Sequence, residues 1–228
     1  MHHRIAFPLL FQIAFNLMPV YGVMMNEWTI FSVIYLYWLE TLILSAFSFI
    51  KIVSSKGSTP NEKLKMKFPA KDESKWKTGI RFLIIRIGLL LFYLLFIFLF
   101  VGLLISDKAD MRTNIEMAFF MNPIFNLTLM LYTLSVGMDL MWHFYGNGEY
   151  LRVHPSDNAS LFDGRTIVIH VAMVLGVLGF MYVKEHFPNH QHLAKLYFIS
   201  IFVLIKTITD VVVYYVGRKP TVVPSTNS

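Results

Sequence analysis

The chain has 228 residues, of which 56% are hydrophobic, 16% aromatic and only 15% charged. Soluble domains carry about 25% charged residues, so much of this chain is not built to meet water. The net charge of +6 gathers in one lysine-rich stretch and gives no reason to expect a nucleic-acid partner, while the absence of cysteine excludes disulfides and thiolate chemistry.

Residues 5–25 form the first expected span, after a short basic start. The apolar run is too long, and too poor in small residues near its end, for a cleaved signal peptide. Pro8 is at a tolerated early position, whereas Pro19 is placed to kink or end the helix. Gln12 and Asn16 are four apart and share a face, the usual arrangement for amides that bond between helices.

Residues 29–53 (TIFSVIYLYWLETLILSAFSFIKIV) dominate the chain. A run of about 25 apolar residues is long enough to cross a bilayer. Glu40 is near its middle, where a carboxylate is costly unless it faces the bundle interior or a wet cavity. Tyr35, Tyr37 and Trp38 lie deeper than an interfacial aromatic belt requires.

Residues 54–80 are polar, with seven lysines against Glu62, Asp72 and Glu73. Loops of this kind stay on the cytoplasmic side, and the lysines over 56–77, interleaved with Leu64, Met66 and Phe68, suit anionic lipid headgroups or a solvated linker. Residues 81–105 are the third expected span, with Arg86 close enough to its start to snorkel outward. Residues 106–122 carry a net charge of −1 and are expected as an outside loop.

The fourth expected span is 123–144, opened by Pro123. A glycine-containing polar loop follows over 145–164; its GNGEY lacks the preceding strand and the lysine of a phosphate-binding fingerprint. The fifth span is 165–183, where Ala172 and Gly176 have the small-residue spacing that allows close helix approach and a homo-oligomer. His186, His190 and His192 lie in the next turn. The sixth span is 193–216, and 221–228 are an expected disordered tail. No internal repeat is visible.

The expected fold is therefore an all-α polytopic membrane bundle. Six transmembrane helices run with both termini cytoplasmic (N-in/C-in), in the plasma (inner) membrane. Loop charges favour this orientation at each turn. It converts sequence position into depth: Glu40 and Lys206 fall near the midplane, and Asp139, His143, Arg165, His170 and Asp210 in the cytoplasmic half, with His170 about 7–8 Å beyond Arg165 at 1.5 Å per residue. Each has a plain explanation alone. Lys206 with Asp210, and Asp139 with His143, are i, i+4 pairs, and Arg165 suits a positive-inside anchor. Their common depth points to one shared pocket, because mutual pairing lowers the cost of burying charge.

Such a pocket suits a small transporter or channel-like protein that binds an ion, a proton or a small anion through Glu40, Asp139, His143, Arg165, His170, Lys206 and Asp210. The competing expectation is an intramembrane metal-dependent hydrolase. His143, His170 and Asp210 would then ligate a divalent metal such as zinc, with Glu40 as general base. A third is a non-catalytic subunit or scaffold, its charges specifying helix pairing.

Three stretches also resemble a known group. IYLYWLETLI carries Trp38-x-Glu40, GRTIVIHVAMVLG carries Arg165 and His170, and LIKTITD carries Lys206, Thr207 and Asp210. Together they resemble a family of uncharacterised prokaryotic multi-pass membrane proteins, a domain of unknown function. The resemblance implies polar roles for Trp38, Glu40, Arg165, His170, Lys206 and Asp210 and supplies no activity.

Overall fold

The computed structural model describes residues 3–25, 28–58, 74–105, 108–160, 174, 178–179, 181–183, 185–187 and 191–217. Among the described residues all regular structure is helical. The elements are α1 (His3–Met25), α2 (Ile30–Ser54), α3 (Lys75–Phe96), α4 (Lys108–Ala118), α5 (Pro123–Asp139) and α6 (Gln191–Gly217). Two of them change pitch without a break. α3 runs on as a π-helical stretch, Ile97–Ile105, and α5 does so over Leu140–Tyr145.

Three helices are long and apolar enough to cross a membrane: Ile30–Ser54, Lys75–Leu99 and Pro123–Tyr145. The most apolar window of α2 is 67% buried inside the protein, against 22% for those of α3 and α5, so α2 is the hub and the other two are peripheral. The peripheral helices turn large apolar side chains outward. Ile84, Leu91, Phe92 and Leu95 of α3 are exposed, as are Met130, Leu134, Met141 and Trp142 of α5. Meanwhile Glu40, Arg86, Lys206 and Asp210 are buried. Apolar outside and charged inside is the distribution expected when the surrounding solvent is lipid.

Local chemistry explains how α2 begins. Thr29 caps it, its hydroxyl accepting from the Ser32 amide while the Ser32 hydroxyl accepts from the Thr29 amide, the two bonds of a capping box. The Thr29 hydroxyl also donates to Asn114 of α4 at 2.5 Å. The last turn of α1 packs closely on Trp28: the Trp28 amide donates to the Gly22 carbonyl, and a Cβ on Gly22 would lie 2.3 Å from the Trp28 indole. Asn122 caps α5 by accepting from the amides of Ile124 and Phe125, with Pro123 where no amide is needed.

The deep aromatics of α2 form a ladder. The Tyr35 ring stacks on Phe31, Trp38 and Phe125 at centroid separations of 5.5, 5.9 and 6.1 Å. The Trp38 indole N–H donates to the Leu90 carbonyl at 2.7 Å, fastening α2 to α3. Trp38 is thus a tie between helices, in keeping with its depth.

Two stretches expected as loops have structure. Within 106–122, α4 buries Asn114 and Met117 on one side and exposes Met111, Arg112 and Ile115 on the other. Its amphipathicity is hidden in the sequence by Asp110, Arg112 and Glu116. Within 145–164, 3-10 turns at Glu149–Leu151 and Pro155–Asn158 cap the C-terminal end of α2. The Lys56 amide donates to the Tyr150 carbonyl at 2.7 Å and the Gly57 amide to Val153 at 3.0 Å. Asn158 donates to Ser55, and the Ser54 and Tyr145 hydroxyls pair at 2.7 Å. α3 also begins earlier than expected, at Lys75, with the Trp76 ring 6.4 Å from Phe49.

Gly57 makes the cap sensitive. A Cβ there would lie 2.4 Å from the Arg152 carbonyl oxygen, a backbone atom that cannot swing aside. Gly57→Ala is expected to lift the 145–160 segment at a cost of about 1–3 kcal/mol. Limited trypsinolysis should then cut at Arg152 much faster than in the wild type, and an unchanged rate would show that the cap is not held there.

Residues 59–73, with most of the expected lysine cluster, lie outside the described residues. So do the greater part of the expected fifth span, including Ala172 and Gly176, and the tail 221–228.

Candidate functional site

Two facing helices and their neighbour build the site. Glu40 is on the inner side of α2, Lys206 and Asp210 are one turn apart on α6, and Asn16 is on α1. All four are at most 5% exposed. The Lys206 ammonium is 2.9 Å from Glu40 Oε2 and 3.2 Å from Asp210 Oδ2. It donates to Asn16 Oδ1 at 2.5 Å, and the Asn16 amide donates to Asp210 Oδ2 at 3.0 Å. Both ends of the amide are therefore used and its orientation is fixed by its partners. The ammonium also lies 4.6 Å from the centre of the Tyr37 ring, where the negative π face attracts it. Phe202 packs on the other elements of this pocket, its ring 4.9 Å from that of Tyr37.

The sequence pairing of Lys206 with Asp210 holds, and it is not private, since Lys206 has Glu40 as a second carboxylate partner. With both acids ionised the cluster carries one negative charge more than positive. Asn16, read in the sequence only as an amide that bonds between helices, completes it. Lone carboxylates in such a place would be prohibitive, and the shared ammonium and amide are what make their burial tolerable.

Other expected members of the pocket lie elsewhere. Asp139 and His143 are a pair at 2.9 Å on α5 and its π-helical continuation, and Asp139 is 3.7 Å from Lys51. Lys51 lies eleven residues beyond Glu40 on α2, roughly 16 Å along its axis. Common depth along the chain thus gathers two groups at different levels, one buried and one half-exposed. His143 is thus paired with Asp139 near Lys51, away from the cluster that holds Asp210. Among the described residues no set of three His, Cys, Asp or Glu side chains is placed to hold a metal ion. Arg165 and His170 lie outside the described residues.

Arg86 does not snorkel. It is 4% exposed and its Nε donates to Ser45 at 3.1 Å, between α3 and α2. Ser45 donates to the Thr41 carbonyl and Thr41 to the Tyr37 carbonyl. Tyr37, Thr41 and Ser45 recur every four residues, so one stripe of α2 is polar from the Lys206 cluster to Arg86. That repeat was readable in the sequence. It goes unnoticed because the surrounding helix is apolar on all sides and no face is marked.

His186 is exposed, stacked on Tyr182 at 4.3 Å and bonded to its carbonyl, and the side chains of His190 and His192 lie outside the described residues.

No curated protein and no solved structure gives a significant match to this chain. A family model described as "Family of unknown function (DUF6498)" matches residues 2–225, nearly the whole length. The chain belongs to that family.

Proposed function

We propose that this protein is a small proton-coupled transporter of six spans in the plasma (inner) membrane, with both termini cytoplasmic. Its proton site is the Asn16–Glu40–Lys206–Asp210 cluster. The observation that carries the reading is that two carboxylates from different helices, Glu40 and Asp210, meet at one buried ammonium. A helix-pairing ion pair needs one acid and one base, whereas here two acids share one ammonium. Two acids at one base offer a place to take up a proton, a common task of intramembrane acids. Three helices contribute to it, so a change in its protonation acts on how α1, α2 and α6 pack together.

The orientation places the charged end of α2 and α3 at the cytoplasmic leaflet. Lys56, Lys77, Arg81 and Arg152 are exposed there beside Trp76 and Trp142. Basic residues with interfacial aromatics suit anionic headgroups.

Proton flux into liposomes reconstituted with purified protein tests the reading. Wild-type protein is expected to carry protons down an imposed pH gradient, and Glu40→Gln to lose at least about tenfold of that flux, as removal of a relay acid should. Equal flux in the two, or none in either with the protein correctly folded, favours the scaffold reading instead.

A further inference from the structure

We infer that α4 is an interfacial helix, and that its apolar edge docks into the acyl chains of one leaflet. The leaflet is the one at the end of the bundle opposite Lys51. The partner is the lipid bilayer, entered sideways by Met111, Ile115 and Phe119.

The surface of α4 divides into three sectors. Asn114 and Met117 are buried and face the bundle. The bond from the Thr29 hydroxyl to Asn114 places the helix beside the start of α2, whereas Lys51 is in the last turn of α2. Met111 and Ile115 are four apart, so they share a face, and both are exposed. Arg112 and Glu116 repeat that spacing one residue further on and are joined at 2.9 Å. One residue is about 100° of turn in a helix of 3.6 residues, so the apolar pair and the charged pair look in different directions. The apolar edge lies between the buried face and the charged one. A surface helix in water has no use for such an edge. A helix at the rim of a membrane bundle needs all three sides: one for the protein, one for hydrocarbon, one for headgroups and water.

The turn that ends α4 is a separate observation with the same direction. The Met121 amide donates to the Glu116 carbonyl at 2.7 Å and the Phe120 amide to the Met117 carbonyl at 3.1 Å, the two bonds of a Schellman end. That motif sets one residue in the left-handed region, where glycine is usual. Here the residue is Phe120, at φ 57°. A bulky side chain is strained there, and strain persists where the side chain has a task. Phe119 and Met121 on either side of it are 69% and 66% exposed. Large apolar side chains displayed on a strained turn are a liability in water and an anchor in lipid.

This edge continues the outward apolar surface of α3. The rings of Phe120 and of Phe98, in the π-helical continuation of α3, lie 6.4 and 6.3 Å from the Tyr35 ring, and both are partly exposed. The two surfaces therefore meet around Tyr35 and form one band. Lipid that covers α3 reaches the edge of α4 without a break.

The chain has no cysteine, so one introduced cysteine carries one spin label. Full-length protein in phosphatidylcholine liposomes is labelled in turn at Met111→Cys, Arg112→Cys, Ile115→Cys, Glu116→Cys and Phe119→Cys. Oxygen, which concentrates in hydrocarbon, and a water-soluble nickel chelate serve as paramagnetic relaxants. Labels at 111, 115 and 119 should be relaxed by oxygen and shielded from nickel, at a depth of about 5–10 Å below the headgroups. Labels at 112 and 116 should show the reverse, so the preference flips between 111 and 112 and again between 115 and 116. Nickel reaching 111 and 115 as freely as 112 overturns the proposal, because the edge then faces water. Exclusion of both relaxants, with dipolar broadening that disappears on dilution by unlabelled protein, overturns it in favour of a second copy of this chain. All five positions are on the surface and take a label without repacking, and Met121→Cys replaces any variant that fails to fold. The result does not depend on proton flux, so it stands or falls apart from the transporter reading.

Discussion

Replacing Lys206 by methionine should cost about 3–5 kcal/mol, because it strands two carboxylates that share one buried ammonium. Methionine keeps the length and bulk of the side chain, so the loss is electrostatic and not a cavity. Asp210 would keep the bond from the Asn16 amide, while both carboxylates would lose the ammonium. Protonation relieves the stranded charge, so the defect should be largest at alkaline pH and shrink on acidification as protons replace the missing charge. Unfolding in detergent, followed by circular dichroism across pH, reads this. The triple variant Lys206→Met, Glu40→Gln, Asp210→Asn removes every charge and should recover most of the loss, since neutral amides tolerate burial when paired. If Lys206→Met is as stable as the wild type at all pH values, the ion cluster does not hold α2 to α6.

The second large effect is expected on the outward face of α3. Leu91 and Leu95 are more than half exposed and stand one turn apart. In a water-soluble protein, aspartate at both positions would be harmless or would improve solubility. In a bilayer each aspartate near a helix centre costs about 2.5–3.5 kcal/mol. The double variant Leu91→Asp, Leu95→Asp should therefore fail to insert and vanish from the membrane fraction. The same two substitutions at Lys77 and Arg81, exposed at the helix start, should leave insertion intact. Recovery of the Leu91/Leu95 variant as soluble folded protein would overturn the reading of that face as lipid-facing.

The hub helix and its central acid are legible in the sequence because α2 is a long apolar run interrupted at one point. Lys206 and Asp210 are legible by their i, i+4 spacing. What depth alone misjudges is azimuth. A helix that is apolar all round gives no sign of which side faces its neighbours, so residues at similar depth need not meet. Asp139 and His143 differ from Glu40 in level as well: Asp139 meets Lys51, roughly 16 Å along α2 from Glu40, and holds His143 there. Arg86 follows the same logic: its distance from the membrane surface permits snorkelling, but its side faces Ser45. The cap over the end of α2 was hidden for another cause. Its bonds run mainly between backbone atoms of Lys56, Gly57, Tyr150 and Val153, and backbone pairing leaves little trace in side-chain pattern. Only the glycine at 57, with no room for a Cβ, hints at it.

Scaffold charges and a working proton site differ in one respect: the latter changes protonation state within the folded protein. Difference infrared spectroscopy of the membrane-reconstituted protein, recorded across an acid titration, observes that event directly. Acidification should bring up the carbonyl stretch of a protonated carboxyl group in the wild type, and that band should be lost or displaced in Glu40→Gln. A spectrum identical in the two proteins at every pH would contradict a proton site built on Glu40.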